Sequence, residues 1–298
     1  MTHILQDAGP YTLALNWLVA GDATNVGTVT IGITDAAGTA VVAPSTSTSY
    51  SSSTATYSYT LADRADPALL NVTWTRSDTG ADLQQTIEVV GSELFNERDA
   101  RSFDNSKLTS ASVYTEAAIA AERIRIGEMF ERWTGRSWIE RYNRMELSGS
   151  GDHELFLGDG YSRSSDGRPL QRPGANRDVS RLLSVTIGGV AQTVTNFSLL
   201  GSILWREGSV WTQPISANPL NVVVEYVYGL PYASEGSDRM ALLLLVDHLA
   251  KSKLDARTTS FSDELGTMKL ITAGMGRSLT NVGELNQWLN DRQPLGIA

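Results

Sequence analysis

The stretch Ala117–Arg141, AAIAAERIRIGEMFERWTGRSWIER, decides how the rest of the chain is read. Ile119, Ile126, Phe130 and Trp133 fall seven, four and three residues apart, so they share one face of an α-helix. Glu122, Arg125, Glu128 and Glu131 take the other side. Gly135, just after Trp133-Thr134, supplies the left-handed residue that ends a helix, and Arg136-Ser137-Trp138-Ile139 restarts the chain with another period. The pattern predicts one helix over 112–134, capped by Thr109 or Ser112, running into a strand. Gly127 inside it costs about 1 kcal/mol relative to Ala and makes sense where another helix packs closely.

Outward from this helix, 298 residues allow two ordinary domains. The longest apolar run, Met240–Val246, is far too short to span a bilayer, so no membrane partner is expected. The N-terminus, MTHILQDAGP, lacks the basic and apolar regions of a signal peptide. Absence of cysteine removes disulfides, thiolate metal sites and cysteine nucleophiles, and fits synthesis in a reducing cytoplasm. Residues 1–91 hold eight acidic and two basic residues, −6 of the net −9, which argues against a phosphate-binding surface there. Arginines 123, 125, 132, 136, 141 and 144 are offset by Glu122, Glu128, Glu131 and Glu140. Two readings apply to that cluster: a salt-bridged helix face, or charged packing between subunits.

From Tyr11 to Val90 the period is that of strands. Val29, Ile31 and Ile33 share one face, as do Leu70, Val72 and Trp74, and turns recur at Asp35–Gly38 and Asp78–Gly80. About seven short strands predict a sandwich of roughly 80 residues. A Trp in a late strand without the antibody Cys pair resembles the cysteine-free Ig-like modules appended to phage structural proteins. Ser45–Thr60, with seven Ser and five Thr, reads as a polar loop entering a strand, with Tyr50, Tyr57 and Tyr59 as strand residues.

Gly91–Phe103 is a charged joint with two aromatics, so 92–108 is expected to be a linker, either a short helix or extended. After Arg141 a β-rich stretch reaches Tyr228, with a hairpin at Gly188-Gly189 and strands at Arg144–Leu147, His153–Leu157, Phe197–Trp205, Val210-Trp211 and Asn221–Tyr228. Gly158–Pro169 reads as a long loop. A second helix over 238–253 is apolar around most of its girth and is expected to be buried on more than one side. A polar segment, 254–280, is expected to be mobile, and a short helix and apolar tail occupy 281–298.

Three features in this order resemble the head-to-tail adaptor (connector) family of long-tailed double-stranded DNA phages. They are the Ala-rich helix ending Glu131-Arg-Trp-Thr-Gly-Arg-Ser-Trp138, the β-excursion closing at Val222-Val-Val-Glu-Tyr-Val-Tyr-Gly229 before a Pro and a helix, and the segment leading to Thr280-Asn-Val-Gly-Glu-Leu-Asn-Gln-Trp-Leu-Asn290. The match covers roughly residues 109–298. The resemblance implies a small helical bundle, from which this chain departs by an N-terminal Ig-like domain and a large β-insertion, so the expected fold is multidomain: an all-β Ig-like sandwich (1–91), then an α+β adaptor domain (109–298) made of a small helical bundle with a β-rich insertion over 138–228.

It also implies a ring of twelve copies beneath the portal protein, followed by a tail-side connector or stopper. The ring would sit at the head-tail junction of the virion. Genomic DNA would pass through it during packaging and ejection without sequence-specific binding, which the pI near 4.9 allows. The family has no catalytic residues to carry over, so no enzyme activity and no cofactor are expected. Contacts with the portal or a neighbouring subunit are expected at Trp288, Leu289, Leu295, Ile297, Arg132 and Arg136. Removing Asn281–Ala298 is then expected to abolish portal binding and leave the sandwich folded.

Catalytic patterns do not emerge from the residues. Asp152, His153 and Asp159 lack a second nearby His for a metal, and His248 reads as a packing residue. No Gly-x-Ser-x-Gly elbow or Lys-Ser/Thr phosphate loop follows a strand. The rival reading is a tail or surface binding module that uses the sandwich for host or glycan contact.

Overall fold

A computed structural model describes residues 2–19, 22–23, 25–103, 107–112, 114–157, 161–163, 169–171, 178–212, 220–230, 236–251, 260–263, 266–269 and 283–291. The chain is β-rich with few helices and divides into two compact units. Residues 1–92, 140–155 and 179–228 form the first, and residues 93–139, 156–178 and 229–298 the second.

The first unit begins with ten strands: β1 (Thr2–Leu5), β2 (Tyr11–Leu15), β3 (Leu18–Val19), β4 (Asp22–Ala23), β5 (Val29–Asp35), β6 (Ala40–Ser47), β7 (Ser49–Ser51), β8 (Thr56–Leu61), β9 (Ala68–Arg76) and β10 (Asp82–Val90). Two sheets, in orders β1-β10-β9-β5-β6 and β2-β8-β7, share one core. Strict alternation sends Val29, Ile31 and Ile33, then Leu70, Val72 and Trp74, to the same buried face, as the sequence pattern predicts. Tyr11, Leu13, Tyr57 and Leu61 close the core from the smaller sheet. The Tyr57 hydroxyl accepts from Val26 N at 2.9 Å and donates to Gly27 O at 2.9 Å, so this tyrosine ties the interior together. The sequence reading placed no strand at β1, β3, β4 or β7; of these, β1 pairs in parallel with β10, setting His3 beside Glu88.

The same unit continues with β11 (Arg141–Leu147), β12 (Glu154–Phe156, of which Glu154 and Leu155 belong here), β15 (Val179–Ile187), β16 (Val190–Gln192), β17 (Phe197–Leu200), β18 (Ile203–Arg206) and β19 (Val222–Tyr228). Strand β13 (Tyr161–Arg163), inside the stretch expected to be a long loop, pairs with β14 (Pro169–Gln171), which starts at the last residue of that stretch. The expected antiparallel set is split into two sheets, β11-β19-β15-β16 and β12-β18-β17. Ile187 pairs with Val190 across the predicted two-residue turn. Val210-Trp211 is not a strand: Trp211 is buried, its backbone N donates to Asp152 O at 2.7 Å, and its indole donates to His153 O at 3.0 Å.

The sandwich is fastened to these later strands. Glu88, 3% exposed, accepts a bidentate pair from Arg141 on β11, with both N–O distances at 2.7 Å. His3 Nε2 lies 3.2 Å from the same carboxylate, off the hydrogen-bond axis. Gly91 N donates to Glu140 O at 2.9 Å, and a side chain at Gly91 would place its Cβ 2.6 Å from Glu140 Cβ. Arg181 on β15 reaches Asp66 at 2.5 Å. These contacts explain why strands expected inside the adaptor domain group with the sandwich.

The second unit holds α1 (Glu97–Ser102), α2 (Glu116–Thr134), α3 (Ser237–Lys251) and α4 (Gly283–Asn290), plus the hairpin β20 (Ser260–Asp263) and β21 (Gly266–Lys269). The expected linker therefore contains a helix, capped by Asn96, whose side chain accepts from Asp99 N. α2 starts four residues later than predicted. Its cap is Thr115, which accepts from Ala118 N at 3.2 Å, because Lys107–Thr109 form a tight 3-10 turn instead. Gly135 ends α2 at φ 63°, as the sequence predicts. Gly127 faces no tight helix crossing, since a Cβ there would meet Leu94 Cδ1 at 3.7 Å, an ordinary contact. The segment expected to be mobile carries the β20–β21 hairpin, and its remaining residues lie outside the described ones.

Arg141→Met is expected to destabilise the first unit by roughly 3–5 kcal/mol at neutral pH, because it strands a buried carboxylate. Burial pushes the Glu88 carboxyl up, but the His3 and Arg141 contacts outweigh it and hold the group at about 2, against an ordinary 4.5. The depressed value means that the stabilisation is complete above pH 4.5 and is lost as pH falls toward 2. The loss amounts to about 3 kcal/mol. Urea unfolding across that window checks both statements, and wild-type midpoints insensitive to acid would refute the second.

Candidate functional site

Among the described residues, His153, Tyr142 and Ser184 are engaged in structure. His153 stacks on Trp205 with ring centroids 5.4 Å apart, and its Nδ1 lies 3.2 Å from Arg206 O. Tyr142 donates to Glu225 at 2.8 Å, and burial followed by that carboxylate pushes its hydroxyl well above the usual tyrosine range. Ser184 donates to the other Glu225 oxygen at 2.6 Å. This network braces β11, β19 and β15. Among the described residues no group of three or more His, Asp or Glu side chains could hold a metal, and no helix is long and apolar enough to cross a membrane. Asp159 and the His248 side chain lie outside the described residues.

The second unit is built around an apolar core. Ile119, Ile126 and Phe130 of α2 are buried against Leu94, Phe95, Met240, Ala241, Leu244 and Leu245. Trp288 on α4 completes this core at 8% exposure, its ring 5.2 Å from Phe130 and 4.9 Å from Trp138. Trp138 is itself fixed by its indole N–H, which donates to the buried Thr134 hydroxyl at 2.9 Å. Leu285, one turn before Trp288, is fully buried. At the rim Arg239 and Glu284 pair at 3.3 Å with more than half of each side chain exposed, so burial rather than the ion pair holds α4.

The six arginines of the sequence cluster divide unequally. Arg123 pairs with Glu93, Arg125 with Glu122, Arg136 with Asp178, Arg141 with Glu88 and Arg144 with Glu146. Arg136 holds Asp178 through two hydrogen bonds of 2.7 and 2.8 Å, which raise its already high pKa. Arg132 is exposed, and no ion pair to it occurs among the described residues. It ends a solvent-facing stripe of α2 made by Ala117, Ala121, Arg125, Glu128 and Arg132. An open groove of about 520 Å³ is lined by Asp99, Ser102 and Phe103 together with Asp238, Arg239 and Leu242 of α3.

Of the six residues expected at contacts, the structure places Trp288 in the core and Arg136 in an internal ion pair. Arg132 is on the surface. The Leu289 side chain, Leu295 and Ile297 lie outside the described residues. The i, i+3 spacing of Leu285 and Trp288 is the sequence signal that the two share the buried face of α4.

No protein-family model and no curated protein matches the sequence. Among solved structures, the chain is similar to the neck of a native GTA particle computed with C12 symmetry, at 12% identity over 63% of this chain and 88% of the other, with a TM-score of 0.37. It is similar also to the neck of an empty GTA particle computed with C6 symmetry, at 15% identity over 60% and 79% of the two chains, with a TM-score of 0.33.

Trp288→Ala is expected to cost roughly 3–5 kcal/mol through the cavity left beside Phe130 and Trp138. Arg132→Ala is expected to stay within about 0.5 kcal/mol of the parent. Urea unfolding followed by far-ultraviolet circular dichroism separates the two, and similar small effects would contradict the core placement.

Proposed function

We propose that the chain is a head-to-tail adaptor of a long-tailed phage: a non-enzymatic virion protein that assembles as a ring of twelve on the portal and extends the DNA channel toward the tail. The supporting observation is the order of segments around one core. A long helix ending Trp133-Thr-Gly-Arg136 is followed by a β-excursion that closes at Tyr228-Gly229, then by α3 and α4, and all three helices meet at the Phe130 and Trp138 cluster. This order matches the adaptor resemblance of the sequence, in which the helices form a small bundle and the N-terminal sandwich is Ig-like. Portal protein above and a connector or stopper below are the partners of this reading. Genomic DNA passes through without base recognition, at the head-tail junction of the virion.

Arg132 is the contact residue this reading favours, because it is exposed and its neighbours in the cluster are committed within the chain. The α2 stripe it ends has two alanines, which let another chain approach closely. The rival host-binding role suits a sandwich on a flexible tether. The buried Glu88–Arg141 pair and the Gly91–Glu140 contact favour a sandwich fixed to the later strands.

Native mass spectrometry of the chain, alone and mixed with the portal protein, tests the proposal. A subunit that joins the portal as a twelve-copy ring is the expected result, with Arg132→Glu lowering ring occupancy at unchanged melting temperature. A monomer or trimer indifferent to the portal would sink the adaptor reading.

A further inference from the structure

We draw no further inference here: the strongest candidate, the open groove of the second unit lined by Asp99, Ser102 and Phe103 together with Asp238, Arg239 and Leu242 of α3, combines two acidic side chains with two apolar ones, and nothing in the structure shows what covers it.

Discussion

A carboxylate as buried as Glu88 stays charged only if opposite charge and hydrogen bonds replace the water it has lost. Arg141 supplies both through its planar fork, at the first residue of β11. Several features depend on that pair. It fixes the last strand of the sandwich to the first strand of the later sheets. It brings Gly91 against Glu140, where the backbone has no room for a side chain. It also orients β1, whose His3 approaches the same carboxylate. The N-terminal strands and the later sheets then behave as one body because a single buried charge needs both.

The second unit is held by different physics. Its centre is a set of aromatic rings, Phe130, Trp138 and Trp288, arranged at tilted and edge-on angles. Such rings carry large apolar area and lock each other's orientation. Around them Arg123, Arg125 and Arg136 are satisfied within the unit.

Local pattern was legible in the sequence wherever period and burial agree. Val29, Ile31 and Ile33, the Leu70–Trp74 alternation and the α2 face all appear as read, because each depends on neighbours a few residues away. Long-range choices were not legible. Nothing local says that Glu88 selects Arg141 from six nearby arginines, or that Thr2–Leu5 forms a parallel strand. The packing of Trp288 was not legible for the same reason: its ring partners Phe130 and Trp138 are some 150 residues away in sequence. The cap of α2 failed more locally, since three residues with hydroxyl side chains competed and the 3-10 turn at Lys107–Thr109 decided between them.

Arg141 and Tyr228, the first residue of β11 and the last of β19, are paired neighbours, although 86 residues lie between them in sequence. The excursion thus departs and returns at adjacent points. Lengthening or shortening what lies between those points changes closure entropy only slowly. The fixed point is Gly229, just past the return, where φ is +101° and a side chain would put its Cβ 2.0 Å from the Ile139 carbonyl oxygen, so the chain can turn toward α3 only with glycine there.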